Sequence, residues 1–237
     1  MEEVNDYVEK NIGSFHSARL EALSDLGLEK VLQRKNPYLF RAKNILTSET
    51  LMKTLLDAHL SSQEETMFGQ FLEGLAIFIC EQVYKGNKSA AEGIDLEFSK
   101  GGVKYIVAIK SGPNWGNSSQ IARMVDNFKQ AKRVLGTNVS KTNIVAINGC
   151  CYGRENQPDK GDYLKYCGQA FWEFISGNEN LYVEIIEPLG HKAKEKNDEF
   201  QKAYAQIINM FTSEFSKEFC SKGHIDWQKI VEMNSKK

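Results

Sequence analysis

Asp95, Glu97, Lys104 and Lys110 lie in the run G-I-D-L-E-F-S-K-G-G-V-K-Y-I-V-A-I-K-S, residues 93–111. Two β-rich arms flank Lys100-Gly101-Gly102, and a Gly-Gly centre suits a tight hairpin because both residues tolerate positive φ. With Gly101-Gly102 as the loop, paired residue numbers sum to 203, which sets Asp95 opposite Ala108 and Gly93 opposite Lys110. Side chains alternate faces along a strand. Ile94, Leu96 and Phe98 then share an apolar face with Tyr105, Val107 and Ile109, while Asp95, Glu97, Lys104 and Lys110 share the other. A carboxylate and an ammonium brought together beside a buried sheet can hold a divalent cation and neutralise a phosphate, so the pattern points to metal-assisted phosphate chemistry.

The surrounding elements must position that hairpin. Residues 1–33 carry apolar positions at three-to-four spacing, which predicts one or two helices, and Asn36-Pro37 breaks the pattern. Y-L-F-R-A-K-N is a short transition before a helix that Thr47 or Ser48 caps and that runs to about His59. Ser61 or Ser62 opens the next helix, since Ser62 with Glu65 has capping-box spacing, and Gly86-Asn87 ends it. After the hairpin, S-G-P-N-W-G-N leads through Ser118-Ser119 into an amphipathic helix ending near Gly136, followed by a strand at Asn143 to Asn148. Gly149 to Gly161, rich in Gly, Pro, Asp and Asn, is an exposed loop. Tyr163 to Ile175 is expected as a helix with Cys167, Phe171, Trp172 and Ile175 on its apolar face, closed by Ser176-Gly177. Leu181 to Ile186 is a strand or a short helix. A long helix runs from about Lys194 to Cys220, and the Lys-rich end is expected to fray.

The 237 residues suffice for one α/β domain with a proper core, with residues 1–60 mainly helical, 61–190 as the catalytic core and 191–237 helical. Lys and Arg total 30 against 31 Asp and Glu, so a net charge of −1 gives no global attraction to nucleic acid, and DNA affinity requires a local basic cleft. The start M-E-E-V-N-D suggests neither signal nor transit peptide, which implies a cytoplasmic protein. Phe71 to Cys80 is too short to cross a membrane and contains Glu73. Five cysteines without a secretory signal imply reduced thiols, and Cys150-Cys151 lacks the partner spacing of a zinc site.

The arrangement of Asp95 with A-I-K at 108–110 resembles the PD-(D/E)XK nuclease superfamily, with Ala108 standing where the second acid is expected. The longer string Y-I-V-A-I-K-S-G-P-N-W-G-N-S-S-Q, with N-P-Y-L-F-R-A-K-N upstream and W-E-F-I-S-G downstream, is similar to type II restriction endonucleases over residues 36–215. The resemblance implies an α/β fold of the restriction-endonuclease-like kind: a central mixed sheet flanked by helices, with a helical N-terminal region and a long C-terminal helix. It further implies Mg²⁺-dependent cleavage of a specific double-stranded DNA sequence by a homodimer. A structure-specific repair or junction nuclease on the same fold, or a non-catalytic DNA-binding module, is the alternative.

Within that resemblance, Asp95 is a direct Mg²⁺ ligand and Lys110 stabilises phosphate charge or orients the attacking water. The carbonyl of Ile109 completes the metal shell, as the middle residue of the motif does in related enzymes. Glu73 is the substitute acid, since a helix before the hairpin often supplies one in related nucleases and Gly69 and Ala76 leave room around it; Arg41 or Lys43 is its structural partner otherwise. Glu97 competes, having the parity of Asp95. Asn114, Trp115 and Asn117 can line the DNA backbone, and Ser118, Ser119 and Gln120 stand at a helix N-terminus suited to phosphate. Arg123 adds positive charge. Arg154, Asn156 and Gln157 have the donors and acceptors needed at base edges.

Overall fold

The computed structural model describes residues 2–138 and 143–236, the side chains of residues 137 and 138 excepted. Its elements run α1 (Glu2–Ser24), α2 (Leu28–Gln33), α3 (Pro37–Ala42), α4 (Ser48–Tyr84), β1 (Asn87–Lys88), β2 (Leu96–Lys100), β3 (Val103–Lys110), α5 (Ser118–Asn138), β4 (Asn143–Cys150) and β5 (Leu164–Cys167). They continue with α6 (Gln169–Ser176), α7 (Leu181–Glu184), α8 (Ile186–Leu189), α9 (Ala193–Phe219), β6 (Cys220–Ser221), β7 (His224–Ile225) and α10 (Trp227–Ser235). The chain divides into two compact units, Met1–Ile12 with Phe68–His191, and Gly13–Met67 with Lys192–Lys237. The first unit holds the five-stranded sheet and every residue singled out above for chemistry. The second gathers helical segments from both ends of the chain around a core that includes Leu51, Leu56, Phe211 and Phe215.

In the first unit the sheet order is β1-β2-β3-β4-β5. β1, β2 and β3 are antiparallel neighbours, whereas β3, β4 and β5 run parallel, so the sheet is mixed. The hairpin register is the one its turn dictates: Leu96 faces Val107 and Lys100 faces Val103, with Gly101 and Gly102 at φ 58° and 78°. Both values are positive, as a two-residue primed turn requires.

Parity then sorts the faces. Leu96, Phe98, Val107 and Ile109 are buried with Leu75 and Ile79 of α4 and Phe171 and Trp172 of α6. Ile106 and Ala108 point the other way, into a cluster with Met124, Phe128 and Ala131 of α5. Helices thus cover both faces, giving the mixed α/β architecture expected from the sequence. Ile94 departs from the expected alternation. It belongs to the α5-side cluster, because Gly93 at φ 71° and the Ile94 N–H to Ala91 carbonyl bond turn the chain before β2 begins.

Other elements also differ from expectation. α4 passes unbroken through the exposed Ser61-Ser62, where the Ser62 carbonyl accepts the Thr66 hydroxyl at 3.1 Å. The helical cost of a serine is a few tenths of a kcal/mol, which buried leucines at 56, 60, 72 and 75 outweigh. Thr47 does cap α4, accepting the Thr50 N–H at 3.2 Å. The transition after Asn36 is the helix α3, with Asn36 accepting the Tyr38 and Leu39 N–H groups and Pro37 at the first helical position. Leu164 to Cys167 is a strand rather than the first turn of a helix, because it satisfies the free edge of β4, Ile147 pairing Leu164 and Cys150 pairing Cys167. Gly168, at φ 54° and ψ −124°, makes the turn into α6, and Gly177 closes it in the left-handed region as expected. Residues 181–189 form two short helices. After Cys220, where no further element was expected, β6 and β7 pair and Asp226 caps α10 by accepting the Lys229 N–H; of the Lys-rich end, Lys236 lies past the helix and residue 237 outside the described residues. Among the described residues no helix is long and apolar enough to cross a membrane.

Candidate active site

Asp95 sits just ahead of β2 yet stays tied to β3, its N–H donating to the Val107 carbonyl at 2.9 Å. Its Oδ2 accepts the Ile109 N–H at 2.6 Å and lies 3.8 Å from Lys110 Nζ. The N–H and C=O of an extended residue leave the same edge of a strand, so the Ile109 carbonyl is directed toward the edge that Asp95 occupies. Both side chains are partly accessible, Asp95 at 21% and Lys110 at 30%. The hairpin thus brings together the acid and the base that parity alone had paired.

Glu73 joins them from α4. Burial and the neighbouring Asp95 charge hold its carboxyl above the usual carboxylate range, while Lys88 and Lys110 pull it back. Its ion-pair partner is Lys88, at 3.9 Å, rather than Arg41 or Lys43. One turn earlier the helix runs beside the end of β3: a Cβ built at Gly69 would lie in ordinary contact, 3.5 Å, with the Cβ of Ser111, the residue after Lys110.

The rival acid is engaged elsewhere. Glu97 pairs with Lys104 at 2.7 Å and lines a cavity of about 260 Å³ with Ser89, Asn127 and Gln130. Ala108 is 1% exposed beneath α5, so the position of the expected second acid is filled by core packing. Among the described residues no three His, Cys, Asp or Glu side chains gather as a metal cluster. Two carboxylates and one backbone carbonyl are hard oxygen donors that suit Mg²⁺, which keeps several waters and needs few protein ligands. Zinc sites draw mostly on sulfur and nitrogen, and neither is among these donors. Cys80 and Cys151 are buried thiols pushed up to about 12, and all five cysteines are free.

Around this centre the predicted DNA contacts separate. Asn117 and Gln120 close a reciprocal cap on α5: the Gln120 N–H donates to Asn117 Oδ1 at 3.1 Å and the Asn117 N–H to Gln120 Oε1 at 2.9 Å. The oxygens of both side chains are therefore taken up by the helix itself. Asn114, Ser118 and Ser119 are exposed, the serines forming the first turn of α5. Arg123 pairs with Glu92 at 3.0 Å, and Lys129 with Asp162 at 3.5 Å, so acids offset part of the positive charge of α5. Arg154, Asn156 and Gln157 are exposed on the loop after β4. That loop is braced by Glu155, which accepts the Gln157 N–H and pairs with Lys160 at 3.1 Å and Lys165 at 3.8 Å. The Gln157 bond, then Lys160, hold the Glu155 carboxyl below the usual range.

Trp115 donates its indole N–H to Asn148 Oδ1 at 3.2 Å, with its ring centroid 5.3 Å from Lys110 Nζ. Asn148 was missed by the reading of spacing, although an amide inside the apolar strand I-V-A-I-N-G-C was a signal available in the sequence.

Compared with known proteins, the chain matches the model of a family described as type II restriction endonuclease EcoO109I, over residues 2–197. No curated protein matches it.

Proposed function

We propose, from the premise that this chain belongs to the EcoO109I family of type II restriction endonucleases, that it uses Mg²⁺ to hydrolyse phosphodiester bonds at a specific sequence in double-stranded DNA. The observation that carries this reading is the convergence of Asp95, Lys110 and Glu73 at the open end of the hairpin, with 3.8 Å between the Asp95 carboxylate and the Lys110 ammonium. The convergence supports reading the site as one of the PD-(D/E)XK kind, with Glu73 on the helix α4 in place of the acid expected at 108.

Asp95, Glu73 and the Ile109 carbonyl would hold Mg²⁺, which when bound supplies Lewis acidity toward the phosphate and lowers the pKa of a coordinated water. Lys110 places positive charge where negative charge builds as water oxygen bonds to phosphorus and the P–O bond to sugar breaks. Asp95 orients that ammonium and is itself fixed by the Ile109 N–H. Asn114, Ser118, Ser119 and Arg123, all exposed, would hold the phosphate backbone, the serines through the N–H groups of the first turn of α5. Arg154, Asn156 and Gln157 reach base edges. A homodimer presents two such centres to the strands of a two-fold site.

The test is incubation of the chain with phage DNA in Mg²⁺ or chelator, expecting discrete fragments only with Mg²⁺. Cleavage confined to branched or damaged substrates would instead favour a structure-specific nuclease. Specific binding without cutting would favour the non-catalytic module that the buried Ala108 motivates.

A further inference from the structure

We propose that Trp115 and Asn148 form a positioning pair for Lys110, an inference that rests on the nuclease reading above. Asn148 is 1% exposed near the end of β4, where an amide is costly unless its polar atoms are bonded. Its Nδ2 donates to the Ala108 carbonyl at 3.2 Å, and its Oδ1 accepts the Trp115 indole N–H at 3.2 Å and stands 3.9 Å from Cys150 Sγ. The amide therefore fastens the loop after β3 to the strand that bears Lys110.

The consequence falls on the ammonium. A lysine is a point charge on a flexible four-carbon stem, so its position depends on what surrounds its head. Here the Asp95 carboxylate lies at 3.8 Å and the Trp115 ring centroid at 5.3 Å, within the range of a cation–π contact. Trp115 also packs against the cluster of Ile106, Ala108 and Met124 beneath α5. With its N–H spent on Asn148 and part of its ring in that cluster, Trp115 is equipped to hold the ammonium rather than to bond a phosphate.

The test uses the whole chain with Mg²⁺ and a duplex that the wild type cuts, measuring the single-turnover rate at saturating enzyme, DNA affinity without Mg²⁺, and the melting temperature. Misplacing a catalytic group by about an ångström costs on the order of 100-fold, so Trp115→Ala should slow saturated cleavage by roughly 10- to 100-fold with DNA affinity little changed. Trp115→Phe keeps an aromatic face for the ammonium but takes the N–H from Asn148 Oδ1, so it should slow cleavage by less than the alanine does, which covers the case of an alanine variant that does not fold. Asn148→Leu alone should slow cleavage by stranding the indole N–H and losing the link to β3, and Trp115→Phe added to it should recover part of the rate, the two losses being less than additive. Weakened DNA binding with an unchanged saturated rate in Trp115→Ala would overturn the inference and make Trp115 a DNA contact. Wild-type rates in both Trp115→Ala and Asn148→Leu would overturn it as well. Failure of the wild type to cut any duplex defeats the nuclease reading first and this inference with it.

Discussion

The Asp95 carboxylate accepts the Ile109 N–H at 2.6 Å through Oδ2, the same oxygen that faces Lys110. Among the described residues no hydrogen bond or ion pair uses Oδ1, which leaves that oxygen for a cation. Asp95→Asn keeps the bond to Ile109 and loses the charge, whereas Asp95→Ala loses both. Both should lower cleavage by about 100-fold or more, on the scale of removing one electrostatic stabiliser of a transition state. Only the alanine should also cost about 1–3 kcal/mol of stability, because it strands a buried N–H. Parallel cleavage assays and urea titrations separate the two effects, and an active Asp95→Asn variant would remove the carboxylate from the mechanism.

Glu73 carries a sign that can be measured. Its carboxyl is raised by burial and by Asp95. Its contribution to stability is therefore present in full at pH below the ordinary carboxylate value and is lost as pH climbs through the raised one. In the absence of metal, Glu73→Gln should melt higher than the wild type near neutral pH, and the gap should close toward acid. In cleavage the same substitution should raise the Mg²⁺ needed for half-maximal rate by roughly tenfold, the lower end of what ligand-shell changes cost. A variant indistinguishable in both assays would exclude the helix acid.

Restoring the missing acid should not help. Ala108 is packed among Met124, Phe128 and Ile106, so Ala108→Glu must force volume and a carboxylate into apolar surroundings. Overpacking alone costs about 1–3 kcal/mol, enough to lower the melting temperature by several degrees. Calorimetry of the metal-free variant checks this; an unchanged transition would mean that the cluster beneath α5 yields more easily than its packing implies.

In the second unit, His59 is 3% exposed and its Nε2 has no hydrogen-bond partner among the described residues. Burial, then the Arg34, Lys35 and Lys30 charges, lower its pKa. The unfolded chain takes up this proton first as pH falls, so the stability His59 supplies is complete above the ordinary histidine value and is lost below it. Chemical denaturation near pH 7 and pH 5 should show the wild type weakening more steeply than His59→Leu. Parallel slopes would mean that the ring finds a proton acceptor on folding.

What could be read from the sequence was whatever the local chain dictates. The Gly101-Gly102 turn sets register and parity by backbone geometry alone, and those place Asp95 and Lys110 side by side. The misreadings arose where distant partners decide. Leu164 to Cys167 is a strand because β4 offers it an edge, and Ser61-Ser62 stays helical because leucines on either side are buried. Trp115 and Asn148 stand 33 residues apart and meet only through the parallel register of β3 and β4, which no local spacing encodes. Glu97 had the correct parity, but its carboxylate is claimed by Lys104, a diagonal neighbour across the hairpin.

The parallel ladder does not stop where β3 and β4 end: Cys151 donates to the Lys110 carbonyl at 3.0 Å, and Tyr152 to that of Ser111 at 3.1 Å. Those rungs couple the backbone of the lysine to the root of the loop bearing Arg154 and Asn156. If that loop meets base pairs as proposed, its displacement by a mismatched pair would pull on the backbone of Lys110 through those rungs. Fidelity would then register in the speed of strand breakage more than in the tightness of the grip.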